Sequence, residues 1–203
     1  MATRQDATRR QSTARGTLTR EIIVATAISR IEADGADRLT MRAVAADLDC
    51  AVMSLYTHVK NRDDLQAAVV AHLIAELDIP GVIRASGPNW ESVMRATLRA
   101  YFDLALRFPR SFALLALAPA EAAHVTEHLD SIVTHLGTLG FSQENARIIL
   151  DTADAFATGF LIVRAQPSLP RLAHNPAEDL AESAWPAYEA GIEILLAGIR
   201  ARM

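Results

Sequence analysis

The chemically most versatile side chains of this sequence lie in residues 39–65, LTMRAVAADLDCAVMSLYTHVKNRDDL. Within them SLYTHVKN places a hydroxyl, a phenol, an imidazole and an ammonium close together, which could serve catalysis, metal binding or recognition of a phosphate backbone. Metal binding at His58 has no second ligand one helical turn away, and the single cysteine, Cys50, offers no CxxC framework. The sequence also lacks a GxSxG nucleophile elbow, a P-loop and a dinucleotide fingerprint. No catalytic or metal site is therefore predicted.

Composition favours a soluble protein with an uneven charge distribution. The chain has 203 residues, of which 51% are hydrophobic, enough for one large domain or a small domain joined to a larger one. No apolar run reaches the roughly 18 residues of a membrane span, and the polar N-terminus has no apolar signal region. We expect a cytoplasmic protein.

The net charge of −4 conceals a basic N-terminal end. Residues 1–62 hold ten Lys and Arg against seven Asp and Glu, whereas residues 63–203 hold ten against seventeen. Such a distribution can present the basic end to a polyanion while the acidic remainder keeps the protein in solution. The arginines of residues 4–15 could equally form a flexible, solvated tail without a partner.

Helical spacing of apolar residues begins after Thr17 and continues through the chain, without a convincing strand pattern. The pattern predicts helices at 19–34, 41–48, 52–59, 61–77, 90–108, 110–117, 120–138, 142–164 and 177–202. The first has Ile22, Ile23, Ala27 and Ile31 as its apolar stripe. A turn-rich segment, DIPGVIRASGP at 78–88, marks a boundary. We predict an all-α fold with a basic arm at 1–17, a small helical domain at 18–79 and a larger helical bundle at 80–203.

The second and third predicted helices form a helix-turn-helix, with residues 49–51 as the turn. Apolar residues of the two helices, among them Val44 and Leu55, can pack together, which turns the opposite face of the third helix outward. Its outward positions are Val52, Met53, Ser54, Tyr56, Thr57 and His58. A helix presented in this way fits the DNA major groove.

The motif LTMRAVAADL…SLYTHVKNRDDL resembles the DNA-binding domain of the tetracycline-repressor (TetR) family of transcriptional regulators. The resemblance covers residues 19–77 well and the remainder only in helical layout. It implies base-edge contacts from Val52, Met53 and Ser54, and a contact from Arg42 to a guanine or its phosphate. It also implies phosphate or groove-surface contacts from Tyr56, Thr57, His58, Lys60 and Arg62. This sequence departs from the family at the turn, where Asp49 replaces the usual Gly and Ala51 replaces a capping hydroxyl.

Two of these residues have a plainer interpretation. Tyr56 could pack against the first helix, and His58 could be a buried polar group bonded to the backbone. A single helix-turn-helix reads few base pairs, so DNA binding would need a two-fold dimer on half-sites about 34–36 Å apart. The arm from Arg4 to Arg15 could add minor-groove or phosphate contacts.

The resemblance implies dimerisation and a small-molecule pocket in the C-terminal region. Helices 142–164 and 177–202 are the predicted dimer interface, although their apolar faces could instead close the monomer's own core. The candidate ligand-binding residues are Trp90, Met94, Phe102, Phe112, Asp154 and Thr158. Trp90 and Phe102 could be ordinary core residues. His124 and His128 have metal-ligand spacing, but a solvated pair is the favoured interpretation because no third ligand is evident.

The sequence thus predicts a homodimeric regulator without a cofactor, most often a repressor in this family. A small-molecule effector would move the fourth helix and release a palindromic operator in double-stranded DNA. Two other hypotheses remain. The chain could be a helical enzyme or carrier, although no catalytic constellation favours this. It could also be a protein-interaction module that has lost DNA binding, a hypothesis that only Asp49 and Ala51 support.

Overall fold

A computed structural model describes residues 18–119, 122–165 and 184–202. All regular structure in these ranges is helical. In the first compact unit, which ends at Ala68, the helices are α1 (Arg20–Asp34), α2 (Met41–Asp47), α3 (Val52–Leu55) and the start of α4 (Arg62–Leu77), with a 3-10 turn at Ala36–Arg38. The second unit, from Val69, contains the rest of α4 and then α5 (Ile79–Ser86), α6 (Trp90–Arg107), α7 (Phe112–Ala116), α8 (Ala123–Thr138), α9 (Gln143–Ala165) and α10 (Trp185–Arg200). The predicted all-α fold is confirmed.

The core of the first unit is built from one face of each helix. In α1 the buried residues are Ile23, Val24, Ala27, Ile28 and Ile31. The predicted stripe was wrong at Ile22, which is 42% exposed. One residue corresponds to about 100° of rotation in a helix, so this position falls outside the stripe formed by its neighbours.

The third helix is shorter than predicted, because α3 ends at Leu55 and residues 56–58 form turns. The Thr57 hydroxyl donates to the Ser54 carbonyl at 2.7 Å, and the His58 amide donates to the Leu55 carbonyl at 2.9 Å. Bonds that span three residues compete with the four-residue spacing of an α-helix. Residues 52–58, the segment predicted to enter the DNA groove and called the recognition segment below, are therefore one regular helical turn followed by tighter turns.

The segment 78–88 was predicted to be rich in turns, and this prediction was wrong. It contains α5, whose start is capped by the Asp78 carboxylate accepting from the Gly81 amide at 3.1 Å. Pro80 stands in the first turn, where its missing N–H costs nothing, and Gly87 follows the helix with a positive φ of 69°. The same Gly and Pro residues that indicate a turn also begin and end a helix.

The 25-residue stretch Arg62–Ser86 has the length and mean hydropathy, 1.4, of a candidate membrane span. It consists of two helices, of 16 and 8 residues, separated at Asp78, where φ is 41°. Each is shorter than the about 20 residues that a spanning helix needs. This interrupted stretch is weak evidence for a membrane segment.

In the second unit, α10 is fixed to α6 and α9 by a cluster of aromatic rings. Tyr188 is fully buried, stacks on Phe156 with centroids 5.1 Å apart, and donates to the Leu98 carbonyl at 3.1 Å. The Phe156 ring occupies the space beside Gly191, where an added Cβ would approach it to 2.5 Å. A larger residue at Gly191 would therefore force the Phe156 ring to shift from its stacking position against Tyr188.

Some predicted segments fall outside the described residues. They are the basic arm at 1–17, residues 120 and 121 at the start of the helix predicted at 120–138, and residues 177–183 at the start of the last predicted helix.

Candidate nucleic-acid interface and effector chamber

The helix-turn-helix begins and turns as its residues predict. The Thr40 hydroxyl caps α2 by accepting from the Ala43 amide at 3.1 Å. Asp49 adopts the left-handed conformation, with φ of 47°, that the absent glycine would have adopted more easily. Ala51 makes no side-chain cap to α3. The turn therefore forms despite two locally unfavourable residues.

The predicted contact residues fall into two groups by exposure. Met53 is 73% exposed and Tyr56 44% exposed. Arg42, Thr57, Lys60 and Arg62 are also exposed, whereas Val52, Ser54 and His58 are half-buried. The intervening Leu55 and Val59 are buried. The structure thus brings the predicted residues of α3 and its following turns to one surface, and Tyr56 is not a core residue.

The basic side chains on this surface differ in how firmly they are held. The Arg62 guanidinium donates to the Ala36 carbonyl at 3.0 Å, which fixes it to the 3-10 turn. Arg42 and Lys60 form no ion pair within the described ranges. Their charges remain available to an external anion.

An Arg20–Asp64 clamp, which sequence reasoning missed, holds the end of the recognition segment. Arg20 donates to Asp64 at 3.0 Å and to the His58 carbonyl at 2.6 Å, while Asp64 also accepts from the Lys60 amide at 2.7 Å. The Arg20 guanidinium and then the Lys60 amide hold the pKa of the Asp64 carboxyl below its usual range. The clamp fixes the backbone on both sides of Val59. Nothing in the local spacing points to a pair 44 residues apart.

Inside the second unit, a small chamber lies among α6, α8 and α9. Its volume is about 20 Å³, close to the space of one water molecule. Of the predicted ligand residues, Met94 and Asp154 line it. Thr158 lies one turn beyond Asp154 and donates a hydrogen bond to its carboxylate.

The three aromatic candidates lie elsewhere in the second unit. Trp90 packs edge-on against Phe141 at 5.6 Å, and Phe102 packs against Trp185 at 4.9 Å. Phe112 is buried, with 1% exposure. The structure does not bring these rings to the chamber. Buried aromatic residues at helical spacing do not reveal from sequence which of them border an empty volume.

The interpretation of His124 and His128 as a solvated pair was wrong. His128 is only 8% exposed, and its Nε2 lies 2.8 Å from the Tyr101 hydroxyl, which borders the chamber. Burial lowers the pKa of His128 to about 4, so the ring is neutral at pH 7. Tyr101 is likewise neutral, because burial and then the nearby Asp154 charge raise the pKa of its phenol. Within the described ranges, no group of three metal-ligating side chains exists.

A second, larger concavity runs along the surface between α9 and α10. This groove has a volume of about 310 Å³ and a mainly apolar lining that includes Ile148, Ile149, Ile194 and Leu195. Ile194 is 75% exposed and Ile148 37% exposed. Both helices are those predicted to form the dimer.

Comparison with known proteins shows which solved structures share this fold. No family model matches the chain. Ligand-free ActR from Streptomyces coelicolor, a TetR-family protein, superposes with a TM-score of 0.70 over 93% of this chain and 97% of its own, at 25% identity. The fold is that of the TetR family. The predicted resemblance is confirmed.

Curated relatives agree with this TetR-family fold. A helix-turn-helix transcriptional regulator from Saccharopolyspora erythraea is 27% identical over 66% of this chain and 56% of its own length. The class D tetracycline repressor from Escherichia coli is 24% identical over 79% of this chain and 72% of its own. The chain thus spans about half the length of the first of these relatives. Both relatives are transcriptional regulators.

Proposed function

We propose that this protein is a transcriptional regulator that binds DNA through α3 and its following turns. The observation that carries the proposal is the surface formed by Met53, Tyr56, Thr57 and Lys60, opposite the buried Leu55. Met53 offers an apolar contact for a thymine methyl group, while the hydroxyls and the ammonium offer donors to phosphate oxygens. The Arg20–Asp64 clamp supports this role because it restrains the segment that must enter the groove. We expect the protein to act in the cytoplasm.

The functional form is a homodimer that joins through α9 and α10. The apolar groove between these helices and the exposed Ile194 support this arrangement, since a second copy would remove this apolar surface from water. Two helices from each subunit make a four-helix bundle. Such a dimer presents two recognition segments to a palindrome with half-sites about 34–36 Å apart.

A small molecule bound in the chamber releases the DNA, so the protein acts as a repressor. The chamber is supported by its enclosure among α6, α8 and α9 and by its mixed apolar and polar lining. In the comparison, ActR was also determined in complex with actinorhodin. At about 20 Å³ the chamber must widen to admit a ligand, so a ligand favours a second conformation. Helix α4, which contains the boundary between the two compact units, is the route by which that change would reach α3.

The deciding experiment is selection from a random duplex library with the purified protein at two salt concentrations. We expect enrichment of a palindrome with the stated half-site spacing. Retention that is salt-sensitive but blind to sequence would mean general polyanion binding, and no retention at low salt would refute the DNA-binding function. The Met53→Ala and Tyr56→Phe double variant keeps the buried Leu55, so it should fold normally, retain all duplexes more weakly and enrich a palindrome with a changed base preference.

A further inference from the structure

The chamber is lined by few polar side chains. Its lining comes mainly from aliphatic residues, together with the buried hydroxyls of Thr97 and Tyr101. Among the described residues that line it, Asp154 has the one carboxyl group, while the Tyr101 phenol and His128 behind it are neutral. The chamber therefore offers a carboxyl group and hydrogen-bond acceptors but no positive charge.

The Asp154 carboxylate lies where the chamber meets solvent. The residue as a whole is exposed, yet protein atoms around the carboxyl raise its pKa, and the charge of Asp151 raises it further. The Thr158 hydroxyl opposes this shift by donating a hydrogen bond. A carboxyl with a raised pKa is one whose charge is poorly compensated by its surroundings.

The nearest basic residue on the same edge of α9 is already engaged. Arg147 lies two turns before Asp154 and pairs with Asp130 of α8 at 3.1 Å. Within the described ranges, no Lys, Arg or His forms an ion pair with Asp154. The Arg147–Asp130 pair also shows that this edge of α9 faces α8. The apolar groove lies on the other side of α9, which faces α10.

We propose that the chamber selects an amphipathic organic cation, with an apolar body among α6, α8 and α9 and an ammonium group on Asp154. This inference rests on the proposed function only in taking the chamber as the effector site. The cation supplies the charge that Asp154 lacks, and an N–H donor can also bond to the Tyr101 oxygen. A buried anion in the same place would face Asp154 without a compensating charge.

The apolar body can be accommodated by side-chain movement. Met94 lines the chamber, and its unbranched thioether chain adapts to different shapes more readily than a branched one. Ala153 and Ala157 on α9 leave little side-chain volume on the opposite wall. Rotation of Met94 therefore enlarges part of the space, and movement of the surrounding helices supplies the rest.

The test uses matched probes with the same rings and different charges. Benzylamine and 1-naphthylmethylamine are compared with the corresponding alcohols and with phenylacetate and 1-naphthylacetate, by calorimetry on the full chain at pH 7.5. We expect each amine to bind at least tenfold more tightly than its alcohol and its acid. Equal affinities, a preference for the acids or binding by none of the probes would overturn the inference.

Two variants assign the effect to the chamber. Asp154→Asn should abolish the preference for the amine, whereas Asp151→Asn, its exposed neighbour, should preserve it. An unchanged preference in Asp154→Asn would also overturn the inference, and thermal unfolding of both variants shows whether they are folded. DNA retention is measured separately, so the two proposals can fail independently. A protein that binds its operator but prefers the alcohols or acids disproves only the selection of a cation. A protein that prefers the amines but does not bind DNA disproves only the proposed function.

Discussion

At the scale of single residues, the proposed DNA interface combines side chains suited to hold any duplex with side chains suited to read its sequence. Lys60 is exposed and forms no ion pair within the described ranges, so its ammonium suits a phosphate. Met53 is exposed at the start of α3, where an apolar side chain can meet base edges. Substitution of Lys60 should therefore change the affinity and its salt dependence, whereas substitution of Met53 should change the base preference.

We predict that Lys60→Ala weakens binding to all duplexes and reduces the slope of log affinity against log salt by about 2, because each subunit of the dimer loses one phosphate contact. Met53→Ala should instead change the preferred base at one position of each half-site and leave the slope unchanged. Fluorescence anisotropy with operator and scrambled duplexes at several salt concentrations measures both effects. Equal loss of preference in the two variants would contradict this division.

His128 leads to a prediction about stability and pH. The imidazole of the unfolded chain gains a proton below a pKa of about 6.5, whereas burial keeps the folded pKa at about 4. Protonation therefore favours the unfolded chain as pH falls from 6.5 towards 4, and between pH 7 and pH 4.5 this one residue should remove roughly 2 kcal/mol of stability. Urea unfolding at pH 7 and pH 4.5 measures the difference. His128→Gln, which keeps a partner for Tyr101, should lose about that much less over the same interval.

At the scale of elements, the turn between α2 and α3 combines two residues that its backbone does not favour. Asp49 holds a left-handed conformation, and the start of α3 at Ala51 has no side-chain cap. The extended backbone of Ala51, with φ of −69° and ψ of 139°, already has the geometry of a capping residue. The turn between α2 and α3 forms because the burial of Val44, Leu55 and their neighbours stabilises it by more than these two residues destabilise it.

Ala51→Ser should therefore stabilise the protein by about 1 kcal/mol, since a serine oxygen can accept an amide at the start of α3. For a chain of this size we expect the unfolding midpoint to rise by about 2–4 °C. Ala51→Val, which adds volume but no acceptor, is the matched control and should give no increase. Calorimetry measures the unfolding midpoint of both variants. A lower midpoint in the serine variant would show that the missing cap does not destabilise the protein.

The same elements show how far sequence reasoning reaches. Helix periodicity and capping residues predicted α1, α2, α4 and α6 to within a residue or two, because their signals are local. Local signals misled at 78–88, where Asp78, Pro80 and Gly87 begin and end a helix. The exposure of Tyr56 was predictable because the apolar spacing of Leu55 and Val59 turns this position outward. The pairing of Tyr101 with His128 depends on packing between helices and has no signature in either segment.

At the scale of the whole molecule, the proposed function needs two copies of the chain, since one recognition segment reads few base pairs. The apolar groove between α9 and α10 is the surface that supports association. Ile194 is 75% exposed there, an expensive position for a large aliphatic residue that stays in water. Its burial against a second copy would contribute to dimer stability.

We predict that Ile194→Lys converts the dimer to monomers at micromolar concentration and abolishes operator binding, because each subunit then holds only one half-site. Analytical ultracentrifugation gives the mass, anisotropy gives the affinity, and circular dichroism verifies that the helices persist. Leu117→Lys is the matched control, since Leu117 is 72% exposed after α7 and lies outside the groove. It should remain dimeric and bind DNA normally. Loss of the dimer in both variants would indicate a general effect of charge on association, and a dimeric Ile194→Lys protein would move the interface away from this groove.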